Sequence, residues 1–196
     1  MVHRATPVVL RRALTETVPL QGGNGSLPAP SAGLTLKTVA LGRGTQNYTC
    51  ESSTATPVNI GALANLTDLT VTDSVHWDAL TTMAVGYAHN RMPVLSTPLY
   101  GWHVFDSAGS PTFNIPRLGI SFVGKKLADV TAPARSVAGP DGTGSVDWLQ
   151  LGDKGTSVGA KEVYRVKVAG GKAPKTCEGQ PNVIFMEYAA QYWFYG

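Results

Sequence analysis

The sequence predicts an all-β fold with minor α content: a β-sandwich, or a jelly-roll or barrel-like body, with one or two short helices. Three observations predict it. Period-two alternation recurs along the chain and is cleanest at residues 161–168, where Tyr164, Val166 and Val168 share one face and Arg165 and Lys167 the other. Glycine (22) and proline (13) are frequent enough to cut the chain into short elements. Charged residues make up 15%, below the roughly 25% of an average soluble domain, so hydroxyl and amide side chains must carry the polar surface, as they do on outer strand faces.

Taken in order, residues 1–30 read as an extended arm. Residues 21–26 are flexible by composition, and Pro28-Ala29-Pro30 is extended. Residues 31–196 read as a single mainly-β domain. Residues 34–41 are the first strand, Gly42-Arg43-Gly44 a turn, and residues 46–51 a second strand that completes a hairpin. Thr56 and Pro57 open a helix with Ile60, Leu63 and Ala64 on one face. A second short helix starts at Asp73 or Ser74, with Val75, Ala79 and Met83 inward. Strands then resume at residues 98–106, 112–115, 121–127, 145–151 and 161–168. They end in a long aromatic strand at 183–195.

Net charge is +3, and the basic residues are scattered, with doublets only at Arg11-Arg12 and Lys125-Lys126. A nucleic-acid partner would call for a clustered stripe, so none is expected. No apolar stretch reaches the length of a membrane span. The N-terminus lacks the apolar region of a leader, so the chain is either cytosolic or a mature form. Two features favour a secreted, extracellular protein. Glycosylation sequons stand at Asn24, Asn47 and Asn65. There are also only two cysteines, Cys50 and Cys177, which form either a bridge across a long loop or two buried thiols.

Several segments stand in a recognisable order: residues 41–50 (LGRGTQNYTC), 101–105 (GWHVF), 146–151 (VDWLQL), Tyr164-Arg165-Val166, 170–174 (GGKAP), Cys177 and 188–196 (YAAQYWFYG). Together they resemble a family of secreted fungal and bacterial proteins classed as a domain of unknown function, some fungal members of which are labelled "malate dehydrogenase". The resemblance spans residues 31–196. It implies a secreted, mainly-β domain with a Cys50–Cys177 bridge and no established activity. The dehydrogenase label finds no support in the residues. Gly42 and Gly44 supply two glycines of a dinucleotide fingerprint, but the third position is Asn47 and a strand follows instead of a helix. Gly170-Gly171-Lys172 reads as a turn. No cofactor is expected.

Of the four histidines (His3, His76, His89 and His103), none has metal-ligand spacing, and no metal is expected. His103, with Asp106 or Asp147 as an orienting carboxylate, is the candidate catalytic group for an extracellular hydrolase. No Gly-x-Ser-x-Gly elbow accompanies it. Glu187, in an otherwise apolar strand, is a further candidate acid. Aromatic faces suit sugar rings, so Tyr100, Trp102, Trp148 and Trp193 are the candidate ligand-binding residues. The leading expectation is non-catalytic binding of a glycan or cell-wall component; a structural role at the cell surface is the third reading.

Overall fold

A strand passes through a glycine unbroken when the neighbouring chain leaves no room for a side chain, and this decides the first element. The computed structural model describes residues 14–86 and 99–196. In it, β1 (Leu36–Thr49) runs straight through Gly42-Arg43-Gly44. A Cβ on Gly42 would stand 2.3 Å from the Tyr192 ring, and one on Gly44 1.8 Å from the Leu63 carbonyl oxygen. These glycines serve close approach, so the hairpin expected between residues 34 and 51 is one long strand.

The helix expected after Pro57 is also a strand, β2 (Val58–Asp68). Its inward residues are the small or buried Ala62, Ala64 and Leu66, while Ile60 and Leu63 stand exposed. Period two holds from Ala62 onward, past a register shift beside Ile60, but larger apolar side chains sit outside and alanines inside, which mimics a helical stripe. The second helix forms where expected. The Asp73 carboxylate accepts from the Val75 amide and starts a 3-10 turn at Ser74–His76, followed by α1 (Trp77–Val85). Its buried face is Trp77, Thr81, Ala84 and Val85, whereas Val75, Ala79 and Met83 point to solvent. The tryptophan sets the helix's rotation, since it packs edge-on against Trp193 at 5.6 Å.

The remaining elements are β3 (Gly101–Phe105), β4 (Pro111–Ile115), β5 (Ile120–Val130), β6 (Trp148–Asp153), β7 (Glu162–Gly170) and β8 (Val183–Tyr195). Each strand pairs antiparallel with the next, and β8 pairs with β1 from Val183–Thr49 to Tyr195–Leu36. The result is a closed eight-stranded barrel; the sandwich and jelly-roll expectations give way to it because the long first and last strands zip together and leave no free edge. Residue 98, His89, His3, Arg11 and Arg12 lie outside the described residues.

Inside the barrel, Phe113, Phe122, Tyr192 and Phe194 pack ring against ring, Phe113 lying 4.9 Å from Tyr192 and 5.6 Å from Phe194. The outer wall of β7, β8 and β1 is covered by α1 and by the arm. Arm residues Val18 and Leu27 are buried. Residues 21–26, flexible by composition, close a turn bridged by Gln21 and Ser26 and tied to the barrel by Gly23 N–H donating to the Thr131 carbonyl. Under the arm lies a buried polar network. Ser31 donates to Glu162, Gln150 donates to the Tyr164 hydroxyl at 2.8 Å, and that hydroxyl donates to the Pro28 carbonyl at 3.1 Å. A Cys50–Cys177 disulfide ties the end of β1 to the β7–β8 loop across 127 residues. No helix among the described residues is long and apolar enough to cross a membrane.

Candidate functional site: a two-chambered lumen

Unequal strand lengths open the barrel wall at one end. The pairing of β4 with β5 ends at Thr112–Val123, while β5 continues to Val130 paired with β6. Likewise, β3 pairs with β2 only at Ala64–Leu66, so residues 58–63 of β2 extend past it. The notch between leads into a cavity of about 360 Å³, within the usual ~300–1,000 Å³ of small-molecule pockets. Its apolar wall is Phe105, Phe113, Leu149 and Leu151, and its polar groups are His103, Arg165 and Tyr192. A second chamber of about 330 Å³ adjoins it, sharing Phe105, Lys126, Leu149 and Arg165, and is lined further by Gln46, Tyr48, Asn59 and Asp147.

Strand register places the polar groups. Arg165 is opposite Leu149 on β6 and Tyr192 on β8, all on the lumen side. Its Nη2 donates to the Asp147 main-chain carbonyl at 2.9 Å, while its buried Nε has no acceptor. Among the described residues no carboxylate lies within ion-pair distance of it. Gln46, on β1, is 3% exposed and its Nε2 also lacks an acceptor. The Tyr188 and Tyr192 hydroxyls share a hydrogen bond of 2.8 Å. Burial raises both tyrosines above their ordinary range, so each stays a neutral phenol, although Arg165 beside Tyr192 opposes the shift.

Residues 30–196 match the family described as "Protein of unknown function (DUF3455)". The chain belongs to this family. No curated protein and no solved structure matches it. The DUF3455 match takes in all eight strands, and so the whole lumen, and leaves out the arm before residue 30.

Within this DUF3455 barrel, His103 lines the first chamber and stacks on Phe113 at 4.0 Å. Its Nδ1 donates to the Thr112 carbonyl at 2.8 Å, which leaves Nε2 as an acceptor. Burial lowers its pKa to about 4, the Thr112 bond opposing and Arg165 adding to the shift, so the ring is neutral at pH 7. Neither carboxylate orients it. Asp106 is spent on the β3–β4 turn, accepting from the Ser110 and Ala108 amides at 2.8 and 2.9 Å, and those bonds keep its pKa below the usual range. Asp147 sits in the second chamber. Glu187 lies on the outer wall, 3.5 Å from Arg43, whose Nε donates to the Ala84 carbonyl at the end of α1.

The four candidate aromatics do not gather into one platform. Tyr100, Trp148 and Trp193 are buried, while Trp102 is 39% exposed on the outer face, opposite Asn65. Of the sequon asparagines, Asn24 and Asn65 are exposed, and Asn47 is half-buried, accepting from Thr45. No group of three His, Cys, Asp or Glu side chains among the described residues is placed to hold a metal. Sequence reasoning missed Gln46 and Arg165 as site residues. The strand alternation did put Arg165 opposite Tyr164, but strand alternation alone does not say which face is the lumen.

Proposed function

We propose that this DUF3455 protein is an extracellular small-molecule-binding protein that holds its ligand inside the barrel and does not transform it. The single supporting observation is the lumen: an apolar chamber, open at a notch, joined through Arg165 to a second chamber, with the unsatisfied Arg165 Nε and Gln46 Nε2 in the walls. Buried orphan donors are costly in a folded protein and mark a place where a partner is expected. Binding was the leading expectation from sequence. Its seat moves from exposed aromatics to the lumen, because three of the four aromatics are wall residues. A glycan platform would rest on Trp102 alone. The hydrolase reading has less behind it, since His103 is held by a main-chain carbonyl and has no orienting acid. Location outside the cell rests on the disulfide.

The test uses N-phenyl-1-naphthylamine, a neutral dye that brightens in apolar sites. The wild-type protein is expected to bind it saturably. Leu149→Trp, which fills the space both chambers share, is expected to weaken binding at least tenfold with a native circular dichroism spectrum. Absence of saturable binding, or equal binding by the folded filled variant, would overturn the proposal.

A further inference from the structure

We infer that the ligand carries a single carboxylate, received deep in the lumen by Arg165 and Gln46; this rests on the lumen being the binding site. Two of the buried polar atoms that lack a full hydrogen bond belong to residues lining the second chamber, and both are pure donors: the Arg165 Nε–H and the Gln46 Nε2–H, whose side chains stand beside the Tyr192 and Tyr188 phenols. A carboxylate is the complementary group, because it only accepts and offers two oxygens in one plane, and guanidinium pairs with it especially well. A hydroxyl would bring a further donor into a place that already has too many. A phosphate dianion would need more inner donors than these two. The other lining cations, Lys125, Lys126, Lys154 and Lys172, are exposed.

Those lysines have a second role. Among the residues lining the two chambers, Lys125, Lys126, Lys154, Lys172 and Arg165 face only Asp129 and Asp147 as carboxylates. One of those lysines is already paired, Lys126 with Asp129 at 2.8 Å. The excess positive charge draws anions to the notch and speeds their entry in a salt-dependent way. Inside, the body of the ligand lies against Phe105, Phe113, Leu149 and Leu151. The ligand class is therefore a small monocarboxylate with an aromatic or short aliphatic body.

The experiment displaces bound N-phenyl-1-naphthylamine with a matched pair, 4-phenylbutyrate and 4-phenyl-1-butanol. At pH 7.5 the carboxylate is expected to compete at about tenfold lower concentration than the alcohol, the usual worth of a charged hydrogen bond. Arg165→Gln is expected to bring the two within about twofold, each competition being read against that variant's own dye affinity. Gln46→Leu, a change at a neutral residue, is expected to reduce the preference by about threefold and serves if the arginine variant fails to fold. Equal competition by acid and alcohol in the wild type, or an undiminished preference in a folded Arg165→Gln or in Gln46→Leu, would overturn the carboxylate and leave lumen binding standing. Failure of the dye to bind wild-type protein would instead remove both.

Discussion

Burial sets the protonation of His103 before any ligand arrives. With its pKa lowered from 6.5 to about 4, the ring stays neutral in the folded barrel while the unfolded chain takes up a proton near pH 6.5. Below that point the unfolded state binds more protons, so stability falls as pH falls, and the loss continues down to the folded pKa near 4. Over that window the cost is about 3 kcal/mol, from roughly 1.4 kcal/mol per pH unit. Urea unfolding midpoints for wild type and His103→Leu, measured between pH 7.5 and 4.5, are expected to converge as pH drops. Parallel pH dependence in the two proteins would show that this ring takes up its proton in the fold as readily as in the unfolded chain. At this scale little of the site was legible. His103 stood out by its type and its aromatic neighbours, but its partner is a backbone oxygen, which a one-letter code does not reveal. Arg165 was read on the face opposite Tyr164 together with Lys167, but a bulge after Val166 turns Lys167 outward to Asp78, and which face is the lumen depends on how seven other strands close.

At the scale of elements, legibility followed how far packing agreed with local pattern. The final strand, with alternating bulky side chains, was read with the same limits it has in the structure, 183–195. Local pattern misled where the barrel needs small residues inside. Gly42 and Gly44 looked like turn residues, and a helix read from Ile60, Leu63 and Ala64 passed over the small inward residues of β2, Ala62 and Ala64. In the barrel these positions share a lumen-side stripe, since Gly42 faces Leu66 and Gly44 faces Ala64 across the β1–β2 ladder. They are small so that Tyr192 and the β2 backbone can come close. This gives a prediction at element scale. Gly44→Ala must push the Leu63 carbonyl out of the way and break the ladder locally, at a cost of about 3 kcal/mol or more, the upper end for overpacking. Asn65→Ala, one position away but exposed on the outer face, is expected to change stability by less than about 0.5 kcal/mol. Comparable urea midpoints for the two variants would count against the close approach.

For the whole molecule, the barrel and its covering have different duties. All-β character and the Cys50–Cys177 bridge were legible, the first from composition and alternation, the second from a resemblance across the chain. Closure was not, because pairing of the first strand with the last is a contact between segments more than 130 residues apart, invisible to any local window. By chain entropy alone the bridge is worth about 5 kcal/mol across its 127-residue separation, an upper figure for a real protein. The arm adds stability by another route. It seals Glu162, Gln150 and Tyr164 from water on the outer wall and buries its own Val18 and Leu27. None of these residues lines the two lumen chambers. Deleting residues 1–29 should therefore cost several kcal/mol, since it removes two buried aliphatic side chains worth about 2 kcal/mol each, uncovers the wall they pack on and takes the Pro28 carbonyl from Tyr164. It should also leave the affinity for a lumen dye within about twofold. Chemical denaturation and dye titration on the same truncated sample separate the two effects. A truncated protein as stable as the full chain would mean the arm contributes no net covering energy. One that is folded but has lost the dye would mean that the arm shapes the lumen from outside.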